Sequence, residues 1–293
     1  PAAGPRGGRD GTTAPMTHLV LVLGDQLTLD GAALQAADPA RDRVLMIEAP
    51  GEQDRVWCHR ARSVLFLSAM RHFREALRAA GWQVDYVALD DPGPEALVDR
   101  LADRLRAYPG ASLSVVEPGE WWLRVALQDR CAALGVPLTI HPDTHFLCRR
   151  EDFDAWAGDA RTLLMETFYR RMRRRHRVLL TADGEPVGGR WNFDADNRKP
   201  YPARGPGDIP PPARFAPDAI TREVMATLAA RFPEQPGSLA SFGWPVTRAQ
   251  AREALARFVT ARLPRFGDHQ DAMWRTEPFG WHALLASSLN LKL

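Results

Sequence analysis

The sequence predicts an α/β fold: a Rossmann-like, parallel five-stranded sheet with helices on both faces, then a linker and the start of an all-α domain. Three observations carry this. Five short apolar runs recur between residues 18 and 141, each bounded by turn-forming or polar residues. The stretches between them repeat their apolar positions at helical spacing. Beyond residue 217 the pattern is helical throughout. Strands alternating with helices imply parallel pairing and right-handed crossovers, with ligands expected at the carboxyl ends of the strands.

Taken in order, residues 18–24 (HLVLVLG) read as a buried strand closed by a glycine. Residues 43–48 (RVLMIE), 83–89 (QVDYVAL), 112–118 (SLSVVEP) and 136–141 (VPLTIH) read as the second to fifth strands. The clearest helix spans 56–80. Its stripe holds Trp57, Ala61, Val64, Leu65, Ser68, Ala69, His72, Phe73, Ala76 and Leu77, with Arg60, Arg62, Arg71, Arg74 and Arg78 expected outside. His72, being on the stripe, reads as a satisfied core histidine. No GxGxxG follows the first strand, which continues GDQLTLDG, so an NAD-type site is disfavoured. The strand ends offer instead Gly24, Asp25 and Gln26, then Glu48 and Glu52, then Glu117. Any one of these carboxylates would serve equally as a helix cap or solvated group, but the set favours a polar, hydrogen-bonding ligand.

Residues 148–217 read as a connecting region with an arginine-dense helix inside it. Met165, Phe168, Tyr169, Met172 and Leu179 fall at helical spacing and are expected to pack inward. Arg170, Arg171, Arg173, Arg174, Arg175 and Arg177 then crowd the other faces, which calls for acidic or phosphate partners. Acidic residues of a further helical part are favoured over DNA phosphates, because the segment sits in the linker. Residues 200–217 are proline-rich and expected to be extended. Helices resume at 218–231 and 248–262. The chain closes on Leu284, Leu285, Leu289, Leu291 and Leu293, an apolar pattern that reads as a domain cut short. The expected division is a disordered leader at 1–16, an α/β domain at 17–147, the linker at 148–217 and an incomplete helical domain at 218–293.

Composition narrows the class. With 45% apolar and 25% charged residues the chain is that of a soluble globular protein. Its net charge of +2 is small, but the basic residues are almost all arginine, which suits bidentate phosphate or carboxylate contacts. No apolar run approaches the length of a membrane span, and the leader lacks the apolar core of a secretory signal. Cys58, Cys131 and Cys148 lie far apart with no CxxC, so reduced thiols and a cytoplasmic location are expected rather than a disulfide framework or metal site.

Six segments, in order, resemble one family. They are LVLVLGDQL from Leu19 to Leu27, LSAMRHF from Leu67 to Phe73, and EPGEW from Glu117 to Trp121. METFYRRMRR from Met165 to Arg174, GGRWNFDADNR from Gly188 to Arg198 and FGDHQDAM from Phe266 to Met273 follow. The chain is identified by them, from Thr17 to Leu293, as similar to the bacterial photolyase-related proteins, the iron–sulfur cryptochromes and (6-4) photolyases. The resemblance implies an α/β antenna domain holding a lumazine chromophore, a linker, and a helical domain holding FAD and a cluster bound by four cysteines. It implies light-driven repair of pyrimidine lesions in damaged DNA, a carbon–carbon lyase reaction in which reduced FAD supplies the electron.

Carried over by residue, the resemblance assigns Gly24, Asp25, Gln26, Ile47, Glu48 and Glu52 to the lumazine pocket. It assigns His269, His282, Leu284, Leu285 and Ser287 to the flavin side, with no catalytic residue and no metal ligand in this chain. Arg55 stands where the family commonly has tyrosine, Cys58-His59 where it has paired histidines, and Ala283 and Ala286 where it has serines. The cluster cysteines and lesion-facing residues are expected beyond Leu293 or on a separate chain. Three functions fit: a photolyase-type enzyme, a chromophore-binding light-sensing module, and an inactive truncated photolyase.

Overall fold

A computed structural model describes residues 17–54 and 58–293, the side chains of 53 and 54 excepted. The leader at 1–16 and the positions of Arg55, Val56 and Trp57 lie outside the described residues. The chain runs β1 (His18–Leu21), α1 (Ala32–Gln35), β2 (Arg43–Ile47), α2 (Gly51–Asp54), α3 (Arg60–Ala79), β3 (Gln83–Val87), α4 (Leu97–Arg106), β4 (Ser112–Val116), α5 (Trp121–Leu134) and β5 (Leu138–His141). It continues through α6 (Arg150–Ala157), α7 (Met165–His176), α8 (Ala219–Arg231), α9 (Arg248–Ala261), α10 (Leu263–His269) and α11 (Ala286–Leu291).

All five strands are parallel, in the order β3-β2-β1-β4-β5. The period of two along β1 explains its unbroken apolar run. Val20 and Val22 face a core shared with α3 and α8, while Leu19, Leu21 and Leu23 face a second core shared with α4 and α5. Each strand is shorter at its carboxyl end than its apolar run, save β5, because the residues beyond peel off to form the sheet's functional edge. The order of strand addition reverses at β1, with β2 and β3 on one side and β4 and β5 on the other, which opens a crevice between β1 and β4.

Helix α3 starts at Arg60, with the His59 ring accepting from the Ala61 amide as its N-cap. One of its arginines departs from expectation. Arg71 is buried, not outside the stripe: its Nε lies 2.8 Å and its Nη2 3.0 Å from the Glu48 carboxylate at the end of β2. Its Nη1 reaches Glu223 of α8 at 2.8 Å, so one guanidinium ties strand, helix and the later helical part together. His72 is half-buried, with Nε2 2.9 Å from Asp218 at the head of α8.

The arginine helix also differs. Met165 is 76% exposed and Leu179, beyond the helix end at φ 53°, is 60% exposed, so the stripe does not face a core. Phe168 alone finds an aromatic cluster, with Phe153 and Trp156 of α6. The buried residue of α7 is Arg173, which donates to the carbonyls of Val178 and Leu179. Arg170, Arg173 and Arg174 surround the Trp191 ring, and Glu166 and Asp152 pair with Arg170 and Arg175. Much of the arginine charge is thus met between residues 152 and 191, by a π face and two local carboxylates.

The last turn returns to the sheet. Leu291 is fully buried and its carbonyl accepts from the Leu27 amide at 3.0 Å. No described helix is long and apolar enough to cross a membrane.

Candidate functional site

The crevice at the carboxyl ends of β1, β2 and β4 has a volume of about 370 Å³. Its apolar walls are Leu23, Ile47, Leu123 and three residues of α3, Phe66, Leu67 and Met70. Its polar rim is Asp25, Glu52, Arg62, Ser63, Glu120 and, from the far end of the chain, Asn290. Glycines at two corners keep it open. A Cβ on Gly24 would stand 3.1 Å from the Met70 sulfur, and one on Gly119 would face Asp25 Oδ2 at 3.8 Å.

Of the residues expected from sequence to hold a chromophore, Gly24, Asp25, Ile47, Glu48 and Glu52 are brought together here. Gln26 is not among them. Its side chain is buried behind the crevice, where Nε2 donates to the carbonyls of Val116 at 3.0 Å and Glu117 at 3.5 Å, bridging the ends of β1 and β4. The Glu117 carboxylate is drawn off by Arg124 at 2.6 Å and Arg150 at 3.0 Å. Ser63, Phe66, Met70, Gly119, Glu120 and Asn290 were not singled out for this site. For the α3 residues a signal existed, since 63, 66, 67 and 70 share one helix face; for Asn290 the sequence holds none.

The two carboxylates at the heart of the crevice have different electrostatic lives. Burial pushes the Asp25 carboxyl above its ordinary value, opposed by Lys292 and its own backbone and reinforced by Asp143 and Glu120. The Glu48 carboxylate is fully engaged: it accepts from Arg71, from Tyr86 Oη and from the Leu89 amide at 2.7 Å. Burial, then Glu48, holds the Tyr86 hydroxyl well above its usual value, so it stays a donor. Glu48 therefore braces the crevice floor; Glu120 accepts from the Trp122 indole N–H through one of its two oxygens, and Asp25 lines the opening beside it. An apolar slot with one aromatic wall and a carboxylate rim suits a flat heteroaromatic ring carrying N–H or hydroxyl donors. Cys58 lies nearby with Sγ 3.6 Å from Ser63 Oγ, and Arg55 falls outside the described residues.

The residues expected on the flavin side are only partly gathered. Leu284 and Ser287, with Ala283 and Ala286, line an open groove of about 440 Å³ against Pro210 to Pro212, Trp244 and Phe279. Leu285 caps α11, and the exposed His282 ring meets Phe266 edge-on. His269 stands elsewhere, stacked on Tyr201 with Nδ1 3.0 Å from the Lys199 carbonyl. The groove's arginines differ in how far they are engaged. Arg262 donates to the carbonyls of Pro210 and His282, while Arg214 makes one bond to that of Ser241 and the exposed Arg257 pairs with Glu253. These residues do not by themselves enclose a flavin dinucleotide: the groove is open, and His269 is not among the residues that line it. Among the described residues no three His, Cys, Asp or Glu side chains converge on a point that would hold a metal.

Two comparisons bear on this geometry. A (6-4) photolyase from Agrobacterium fabrum (strain C58 / ATCC 33970) is 40% identical over 282 residues, which are 95% of this chain and 54% of that protein. The chain thus spans about half the length of the curated relative it matches. A family model described as deoxyribodipyrimidine photo-lyase-related protein matches residues 20–244, from β1 through the crevice and linker to α8 and the turn before α9. With a match over most of its length, the chain belongs to the deoxyribodipyrimidine photo-lyase-related protein family.

Proposed function

We propose that this chain is the antenna-bearing part of a photolyase-type flavoprotein that repairs pyrimidine photolesions in DNA, with a lumazine held in the β1/β4 crevice. The observation that carries this is the crevice itself, an apolar slot rimmed by Asp25 and Glu120 at the switch point of the sheet. A bound lumazine would collect light and pass the energy on. Phe66, Ile47 and Leu67 would enclose its ring system, and Asp25 and Glu120 would accept from ring N–H or ribityl hydroxyl groups. On this reading 17–147 forms the antenna domain, 148–217 the linker and 218–293 the beginning of a helical domain.

FAD and damaged DNA belong to the proposal for the whole protein. The groove beside α11 is open and does not include His269, so the flavin would depend on residues outside this chain, in the remainder of a longer polypeptide or a separate one. That observation also favours a second reading, a chromophore-binding light-sensing module without repair activity.

Titrating purified protein with 6,7-dimethyl-8-ribityllumazine tests the first element. A saturable rise in fluorescence anisotropy is expected; an anisotropy that stays flat removes the antenna. The DNA element predicts tighter binding of ultraviolet-irradiated than intact duplex, with affinity falling steeply as salt rises. Equal, salt-insensitive binding would leave the sensing module as the better reading.

A further inference from the structure

The crevice is lined by the α/β part with one exception: Asn290 comes from the last turn of α11. Its neighbours fix it there. Leu291, fully buried in the core shared with α3, offers its carbonyl to the Leu27 amide at 3.0 Å. Leu27 directly follows the turn, closed by the Gln26 N–H on the Leu23 carbonyl, that carries Gly24 and Asp25 into the crevice. The crevice wall and the residue after Asn290 are thus joined by one hydrogen bond. Beyond it, Lys292 is anchored to Asp143 at 2.7 Å, in the loop after β5. The Asn290 side chain beside these anchors is exposed at the rim, and its carboxamide has no hydrogen-bond partner among the described residues.

We propose that Asn290 is a ligand-binding residue of the crevice, and that an occupant bound to it fastens α11 to the sheet. A lumazine as that occupant rests on the reading above. The rest of the rim is mainly acidic, with Asp25, Glu52 and Glu120, and an ionised carboxylate only accepts. Of its donors, Ser63 Oγ already accepts from Gln235 at 3.2 Å and stands 3.6 Å from the Cys58 sulfur, and Arg62 lies over the Phe66 ring at 4.9 Å. A carboxamide donates and accepts in one plane, which matches a ring edge where a carbonyl stands beside an N–H. A lumazine carries that edge, and its ribityl hydroxyls are left to the carboxylates. An occupant that touches both parts binds fully only while α11 is docked. By linkage it stabilises the docked state, and openings that lift α11 from the sheet become rarer as the crevice fills.

The test compares the full chain with Asn290→Ala and with Asn290→Asp, which keeps the size and an acceptor but not the donor. Fluorescence anisotropy gives the affinity for 6,7-dimethyl-8-ribityllumazine, and amide hydrogen exchange is followed with and without it. Both variants are expected to bind about ten-fold more weakly, the loss of one hydrogen bond. In wild type, lumazine at about 100 times its dissociation constant should slow exchange of Leu27 and of residues 288–293 by up to roughly 100-fold. In Asn290→Ala at matched saturation that slowing is expected to be lost. Leu289→Ala, at an exposed position of the same helix, controls for a structural role and should bind as wild type does. Wild-type affinity in either Asn290 variant overturns the proposal, as does wild-type exchange at 288–293 that lumazine leaves unchanged. So does an equal loss of affinity in Leu289→Ala, which would mark a helix that only needs to be intact. A flat anisotropy in wild type is a different result: it removes the lumazine reading, and the fastening of α11 with it.

Discussion

Arg71→Met is expected to cost about 3–5 kcal/mol of stability, the usual penalty for stripping the partner from a buried charge. Glu48 is the charge left behind. It is 1% exposed and sits at the carboxyl end of β2, at the floor of the crevice. The Leu89 amide and Tyr86 hydroxyl would still donate to it, but neither carries positive charge. Arg71 also loses its link to Glu223, so the docking of α8 on α3 weakens in the same step. A folded domain is held by only about 5–15 kcal/mol, and this one substitution would consume a large part of that. Urea unfolding of wild type and variant measures it directly. Glu48→Gln added to Arg71→Met should recover much of the loss, because the amide oxygen still accepts from the Leu89 N–H and the amide nitrogen can donate to the Tyr86 oxygen, without the charge. A single-variant cost below about 1 kcal/mol would mean that the site relaxes to admit water, and that the pair does not brace the crevice.

The same residue shows where reading the sequence stops. Apolar periodicity located all five strands and α3, because those patterns repeat within a dozen residues and both faces of the sheet are buried. Periodicity assigns every arginine to a helix's wet side, and Arg60, Arg62, Arg74 and Arg78 fit that rule better than Arg71, which alone is buried. What brings Arg71 in is a carboxylate 23 positions earlier on another element, a pairing with no local signature. The linker helix fails for the converse reason. Its stripe has the right spacing, but spacing states which residues share a face and not what faces them; Met165 and Tyr169 meet no described core.

For the crevice, the strand ends were legible because the topology of an alternating α/β chain fixes where ligands bind. Asp25 and Gln26 are adjacent in sequence, yet one lines the opening and the other is folded behind it, since a turn closed by the Gln26 N–H on the Leu23 carbonyl carries Gln26 back toward the end of β4. Asn290 approaches from the far end of the chain, a separation over which no pattern in one sequence carries information.

Gly119→Trp is expected to abolish chromophore binding, by roughly 100-fold or more, which is about 2.7 kcal/mol, while leaving the fold intact. Gly119 lies in the turn between β4 and α5, and its backbone does not need the left-handed region. A side chain there meets only the Asp25 carboxylate, at 3.8 Å from the first carbon, before entering the crevice. An indole brings roughly 150–250 Å² of surface, enough to occupy the slot between Phe66 and Leu123 that a heteroaromatic ring would need. Gly24 is the poorer choice, since its Cβ would press on Met70 at 3.1 Å and mix a packing cost with the blockade. Because a surface-turn substitution away from core contacts usually shifts stability by no more than about 0.5 kcal/mol, the melting temperature should stay near that of wild type. Loss of lumazine binding without loss of fold would then locate the ligand by occupancy alone, independent of any hydrogen bond assigned to Asp25. Wild-type affinity in this variant would place the ligand elsewhere.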